Sequence, residues 1–237
     1  MKYEIIEESK EFIIVNKPAG LLVHGADHLD EETLAEQLLV AYPEIKKVGD
    51  DPYRPGIVHR LDKLASGLMV IARTQESFYS LKEQFQKRQI KKYYTALVYG
   101  AIAKDKDEIN FPILRSSKGY KMAALPETVK GEKNIDGRNA ISEFEVIKRY
   151  INYTLLKVRI KTGRTHQIRV HMSAYGHPLV GDDLYGTKKT KVKNKKVDLE
   201  RIFLVADELE FKNLAGVDQK FKVGLPEELE VFLKKIK

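Results

Sequence analysis

The chain has 237 residues, 43% hydrophobic and 32% charged, which suits a globular protein that buries one good core. It contains no cysteine, so disulfides, a thiol nucleophile and a cysteine-built zinc site are excluded. The formal net charge of +8 favours phosphate backbones as partners. No apolar run approaches the roughly 20 residues of a membrane span, and the N-terminus lacks the layout of a secretory signal. The expectation is a cytoplasmic monomer that makes no use of a membrane.

In chain order, Phe12-Ile13-Ile14-Val15 reads as a short buried strand, stopped by Asn16-Lys17-Pro18-Ala19-Gly20. Residues 21–24 form a second extended piece. Leu34, Leu38 and Ala41 recur at helical spacing between Thr33 and Tyr42, with Pro43 as a stop. Residues 68–72 are an apolar strand, after which Thr74 caps a helix with Phe78, Leu81 and Phe85 on one face. Residues 93–100 alternate as a strand, placing Tyr94, Ala96 and Val98 on one face. Two more strands are expected near residues 140–147 and 154–160.

The stretch 161–178 predicts a turn entering a helix, with Thr165 as its cap and Gly176 and Pro178 as its end. Residues 187–196 carry six lysines and read as a loop, either solvated or acting as a mobile basic arm on an RNA backbone. A strand around residues 203–211 and a helix over residues 226–236 complete the order. No internal repeat or linker interrupts it, so a single domain over residues 1–237 is expected.

Chemistry concentrates at residues 55–67, where Asp62 stands among charged and turn-forming residues just before the apolar strand. A carboxylate at the mouth of a buried strand is held still while it faces a ligand, although a lone aspartate there more often caps a turn or pairs with Arg60 or Lys63. His166 and His171 lack acidic companions at ligand spacing, so no metal site is expected. No glycine loop suited to cradling phosphate is present, and no cofactor is implied.

Five segments in order resemble the RluA family of pseudouridine synthases. Residues 16–24 are similar to its entry motif, and His59-Arg60-Leu61-Asp62 with Ser66-Gly67 to its catalytic motif. Lys92-Tyr93-Tyr94-Thr95-Ala96-Leu97-Val98-Tyr99-Gly100 resembles Lys-x-Tyr-x-Ala-x-Val-x-Gly. Residues 162–171 are similar to the basic motif, and Gly181-Asp182-Asp183-Leu184-Tyr185-Gly186 to the turn after it. The late Leu-His-Ala element appears as Leu204-Val205-Ala206, with Lys212-Asn213 in place of the following His-Pro.

The resemblance implies an α/β domain of α+β type, with a mixed, mostly antiparallel sheet flanked by helices. It implies isomerisation of uridine to pseudouridine in a structured ribosomal or transfer RNA, without a cofactor. Asp62 becomes the essential aspartate, Tyr94 the active-site tyrosine and Arg169 the basic residue paired with the aspartate. The reaction breaks N1–C1′, turns the uracil and joins C5 to C1′, and a carboxylate can attack the sugar, act as base at C2′ or attack uracil C6. Arg60 is the candidate to hold the space left by the extruded base, and Arg164, Lys188 and Lys189 are candidates for the RNA backbone. His59 is expected to support the loop. The motifs begin by residue 16, so an N-terminal S4-type module is expected to be absent. The rival readings are a catalytically silent RNA-binding protein of the same fold and a metal-dependent nuclease.

Overall fold

The computed structural model describes residues 2–25, 31–116, 119, 121–125, 128–129, 132–133, 137–197 and 199–237. In chain order the elements are β1 (Glu4–Glu8), β2 (Phe12–Lys17), α1 (Leu34–Ala41), β3 (Ser66–Ala72), α2 (Gln75–Gln86) and β4 (Lys91–Tyr99). Then come β5 (Lys106–Ile109), β6 (Ile113–Arg115), β7 (Met122–Ala124), β8 (Thr128–Val129), β9 (Glu132–Lys133), β10 (Ser142–Arg149) and β11 (Tyr153–Ile160). The last are α3 (Gln167–Ala174), α4 (Lys188–Asn194), β12 (Leu204–Lys212), β13 (Asp218–Lys222) and α5 (Glu227–Lys235). The fold is of mixed α+β type with mostly antiparallel strand pairing, as the family resemblance implies.

The chain divides into two compact units, each discontinuous in sequence. The first holds residues 1–92 and 206–224. Here β1, β2 and β3 run antiparallel in that order, and the part of β12 from Ala206 onward lies beside β3 and pairs with β13. β2 and β3 are buried on both faces, which is why Ile13, Ile14, Met69, Val70 and Ile71 show no polar alternation. Both helices open on capping boxes, Thr33 with Glu36 on α1 and Thr74 with Ser77 on α2. The far end of α2 is tied to β12, since the Gln84 amide donates to Lys212 C=O at 2.8 Å and accepts its N–H at 2.9 Å. Residues 21–24 form no strand. Their one ladder contact is a bridge between Leu22 and Thr33.

The second unit holds residues 93–205 and 225–237, with β4, β11, β10 and β5 antiparallel in that order. Its core gathers Leu97, Tyr99, Leu155, Val180, Phe203, Val205 and Leu229, and α5 seals it with Phe232 and Leu233 while Val231 stays 39% exposed. Two expectations are corrected in this unit. The lysine-rich residues 187–196 are not a loop: Thr187 accepts the N–H of Thr190 and opens α4. Nor does Thr165 cap α3. His166 does so in a left-handed conformation with φ 55°, and the buried Gln167 side chain takes the Arg164 N–H at 3.1 Å and the Thr162 hydroxyl at 2.7 Å.

Gly67 shows how closely β12 lies against β3. Its φ is +121°, and a Cβ there would stand 2.2 Å from Ala206 C=O oxygen. Strain and backbone clash therefore act together at this position. Gly67→Ala should destabilise the protein by more than about 2 kcal/mol in urea unfolding. A change under about 0.5 kcal/mol would show that the two strands are not held at this separation.

Candidate active site

Asp62 lies half-buried in the loop between Ile57 and β3, with Leu61 buried beneath it. The Asp62 C=O accepts the Ala65 N–H at 3.1 Å, so the segment is a tight turn that delivers the chain into β3. That turn is fastened through Lys63. Its C=O accepts the Gly20 N–H at 2.7 Å and the Lys17 ammonium at 3.3 Å. The same ammonium, fully buried, donates to Pro18 C=O at 2.9 Å and Leu21 C=O at 2.8 Å. One cation thus joins the entry motif to the residue that follows Asp62, a role that sequence reasoning missed because Lys17 read only as part of a turn.

His59 lies behind the same loop. Its Nε2 accepts the Val70 N–H at 3.1 Å, so the ring proton is on Nδ1, which is buried without a hydrogen-bond partner. The ring packs 4.9 Å from Phe85, whose other neighbour is the buried Lys92 ammonium at 5.1 Å from the ring centroid. Burial, and then the Lys92 charge, hold His59 well below the usual imidazole range. Burial likewise lowers Lys92 to about 8.

Arg60 is exposed, and its Nη1 donates to His24 Nε2 at 2.9 Å, while His24 Nδ1 donates to Gly25 C=O at 2.9 Å. His24 therefore accepts from Arg60 only as the neutral ring, and desolvation lowers its pKa, favouring that form. Lys63 Nζ is paired at 2.5 Å with Glu31.

In the second unit Tyr94 is buried on β4, with Val158 as its cross-strand partner. Arg169 projects from α3, buried, and Asp182 holds it by two contacts, Nε–Oδ2 at 2.7 Å and Nη2–Oδ1 at 3.1 Å. Asp182 Oδ1 also accepts the Leu184 and Tyr185 N–H groups, each at 3.0 Å. The Tyr185 ring lies 5.1 Å from the guanidinium. The Tyr185 hydroxyl accepts the Met122 N–H at 2.9 Å and is hydrogen-bonded to His166 Nδ1 at 2.8 Å. Bidentate pairing and a ring face fix the plane of this arginine as well as its charge. Asp182 and Tyr185 were legible only as parts of a turn motif.

His171 is satisfied by Ser142 Oγ at 3.0 Å and Phe111 C=O at 2.9 Å. Among the described residues no group of three His, Cys, Asp or Glu side chains is placed to hold a metal. Arg164 is half-exposed and its Nε donates to Asn139 C=O at 3.1 Å, while Lys188 and Lys189 are exposed on α4.

In the first unit a carboxylate thus stands on a pinned turn, and in the second an arginine is aligned by a buried acid. The model of the RNA pseudouridylate synthase family matches residues 11–174, and the chain belongs to that family. It is 41% identical over 228 residues to an uncharacterised RNA pseudouridine synthase of Aquifex aeolicus, covering 94% of this chain and 69% of that one. It is 38% identical over 237 residues to the ribosomal large subunit pseudouridine synthase D of Pseudomonas aeruginosa, covering 96% and 70%. Among solved structures, human RNA pseudouridylate synthase domain containing 1 superposes with a TM-score of 0.73 at 26% identity, covering 95% of this chain and 84% of that one. The chain is an RNA pseudouridine synthase, an isomerase of the RluA type.

Two outcomes follow from the first unit. Lys17→Met should remove the ammonium that bridges the Pro18, Leu21 and Lys63 carbonyls and cost about 2–4 kcal/mol in urea unfolding, with a matching loss of isomerisation. Wild-type stability in that variant would remove the clamp. The neutral His59 ring, with its folded pKa below the ordinary 6.5, adds stability that is complete above that pH and lost as pH falls, by up to about 1.4 kcal/mol per unit. His59→Gln should flatten the dependence between about pH 6.5 and 5; an unchanged slope would assign the acid lability elsewhere.

Proposed function

We propose that Asp62, Tyr94 and Arg169 carry the isomerisation, and that the substrate is a structured ribosomal RNA. The single observation behind the reading is the pinned turn at Asp62. A carboxylate that must meet one ribose carbon gains from a backbone held by Lys17 and Gly20 through the neighbouring Lys63 C=O. In this reading Asp62 acts on the uridine as nucleophile or base, and Tyr94 stacks on the uracil and serves the proton transfer at C5. Arg169, with its plane set by Asp182, favours the ionised aspartate.

Arg60, Arg164, Lys188 and Lys189 contact the RNA. The exposed Arg60, steadied by His24, takes the space that the extruded base leaves. The choice of ribosomal over transfer RNA rests on the relatives named for the large ribosomal subunit. The reading treats residues 1–237 as a single catalytic domain, working as a monomer in the cytoplasm. The discontinuity of both compact units in sequence supports the single domain, because neither can be cut out as one continuous segment.

Asp62→Asn should abolish pseudouridine formation while RNA binding stays within about tenfold. Mass spectrometry of cyanoethylated RNA reads the first quantity and filter binding the second. Substantial residual turnover would remove Asp62 from its role. RNA binding by the unaltered chain, with no new pseudouridine in any cellular RNA, would favour the catalytically silent reading.

A further inference from the structure

Helix α4 combines two properties that do not ordinarily occur together. Residues 187–196 contain six lysines and no acidic residue. Among the described residues none of the six is in an ion pair, and Lys188, Lys189, Lys195 and Lys196 are exposed. Lysines three and four apart repel one another along the helix, and Lys188 and Lys189 meet the positive end of its dipole with no acid in the first turn. A helix this short and this charged has little stability of its own. It is held by its buried side, with the Lys193 ammonium 5.5 Å from the centre of the Tyr99 ring. Thr190 and Asn194, one turn apart, are the buried pair, and Asn194 makes three contacts.

Those contacts surround one residue. Asn194 Oδ1 accepts the Gly181 N–H at 3.0 Å and the Tyr99 hydroxyl at 2.7 Å, and its Nδ2 donates to Asp183 Oδ1 at 2.9 Å. Burial pushes the Tyr99 phenol up, so it remains a donor. Gly181 and Asp183 flank Asp182, the residue that aligns Arg169. The turn has little room to move elsewhere. Gly181 has φ +79°, and a Cβ there would lie 2.0 Å from Arg201 C=O oxygen. Asn194 is thus the last helical residue of the basic segment and also grips both neighbours of the carboxylate behind Arg169.

We propose that α4 is a contact for the RNA phosphate backbone that is joined to Arg169, with Asn194 as the positioning residue that carries the link through the Gly181–Asp182–Asp183 turn. Phosphates neutralise the lysines and relieve the repulsion that destabilises the helix. A firmer helix holds Asn194, and with it the turn that sets the guanidinium. RNA docking at α4 is thereby coupled to the readiness of the arginine, as differential stabilisation of one arrangement requires. This rests on the reading of Arg169 given above.

The test uses the full chain. Binding of a large-subunit ribosomal RNA transcript is followed by anisotropy against KCl concentration. Isomerisation of total RNA from cells lacking the gene is followed at saturating enzyme. Lys188→Gln, Lys189→Gln, Lys195→Gln and Lys196→Gln together should reduce the slope of log affinity on log salt by roughly two to three. Asn194→Ala should keep the slope but lower the saturating rate about tenfold, a split that a purely structural defect in binding would not give. Asn194→Asp combined with Asp183→Asn exchanges donor and acceptor across that contact and should restore the rate. An unchanged salt slope overturns the RNA contact, and an unchanged saturating rate in Asn194→Ala overturns the link. If the unaltered chain forms no pseudouridine at all, the isomerase reading itself falls, and the salt slope still decides whether α4 meets RNA.

Discussion

Burying a cation is the constraint around which both units are organised. A lysine or arginine removed from water loses its hydration and must recover it from fixed acceptors or lose its proton. Three of the four buried cations among the described residues meet this demand in three ways. Lys17 donates to backbone carbonyls, and one of those carbonyls belongs to the turn that presents Asp62. Arg169 receives a buried carboxylate and an aromatic face. Lys92 has the face of Phe85, which replaces little of the lost hydration, and its pKa falls accordingly.

The first two solutions fix backbone position because each binds the cation to chain that is distant in sequence. The Lys17 ammonium spans from the entry motif to residue 63, and Asp182 reaches back thirteen positions to Arg169. Moving either partner would leave a buried charge unmet, so the surrounding backbone is held at a definite distance. Electrostatic necessity becomes positional accuracy. His59 adds a weaker version of the same effect, since a neutral ring is required to accept the Val70 N–H.

The surface follows other rules. Arg60 and Arg164 are solvent-accessible to different degrees and are steadied by neutral partners, His24 for Arg60 and the Asn139 carbonyl for Arg164. Groups held by neutral acceptors keep their full charge for an anionic ligand. Exposed pairs of opposite sign, by contrast, partly cancel each other.

Much of the fold was legible in the sequence, because β2, β3, α1 and α2 are specified by short-range pattern: continuous apolar runs, capping residues and a proline stop. The strands β4, β10, β11 and β12 were legible for the same reason. So was the family, since five ordered motifs carried it. The entry to α3 was misread because Thr165 is a good cap in isolation, whereas the amide of Gln167, buried against residues 141, 142 and 162, supplies the bonds instead. Residues 187–196 were misread because like charges argue against a helix, and the anchoring of Asn194 to Tyr99 and Gly181 is invisible to local pattern.

The amino-acid sequence alone determined which residues are charged, which segments are apolar and in what order the motifs arrive. Only the tertiary structure decided which buried cation meets which acceptor, and hence that Lys17 serves the Asp62 turn and Asp182 serves Arg169. The reason is one of range. Strand and helix periodicities are enforced by sterics between near neighbours, whereas the partner of a desolvated charge is chosen by whatever distant backbone the completed fold brings within hydrogen-bonding distance.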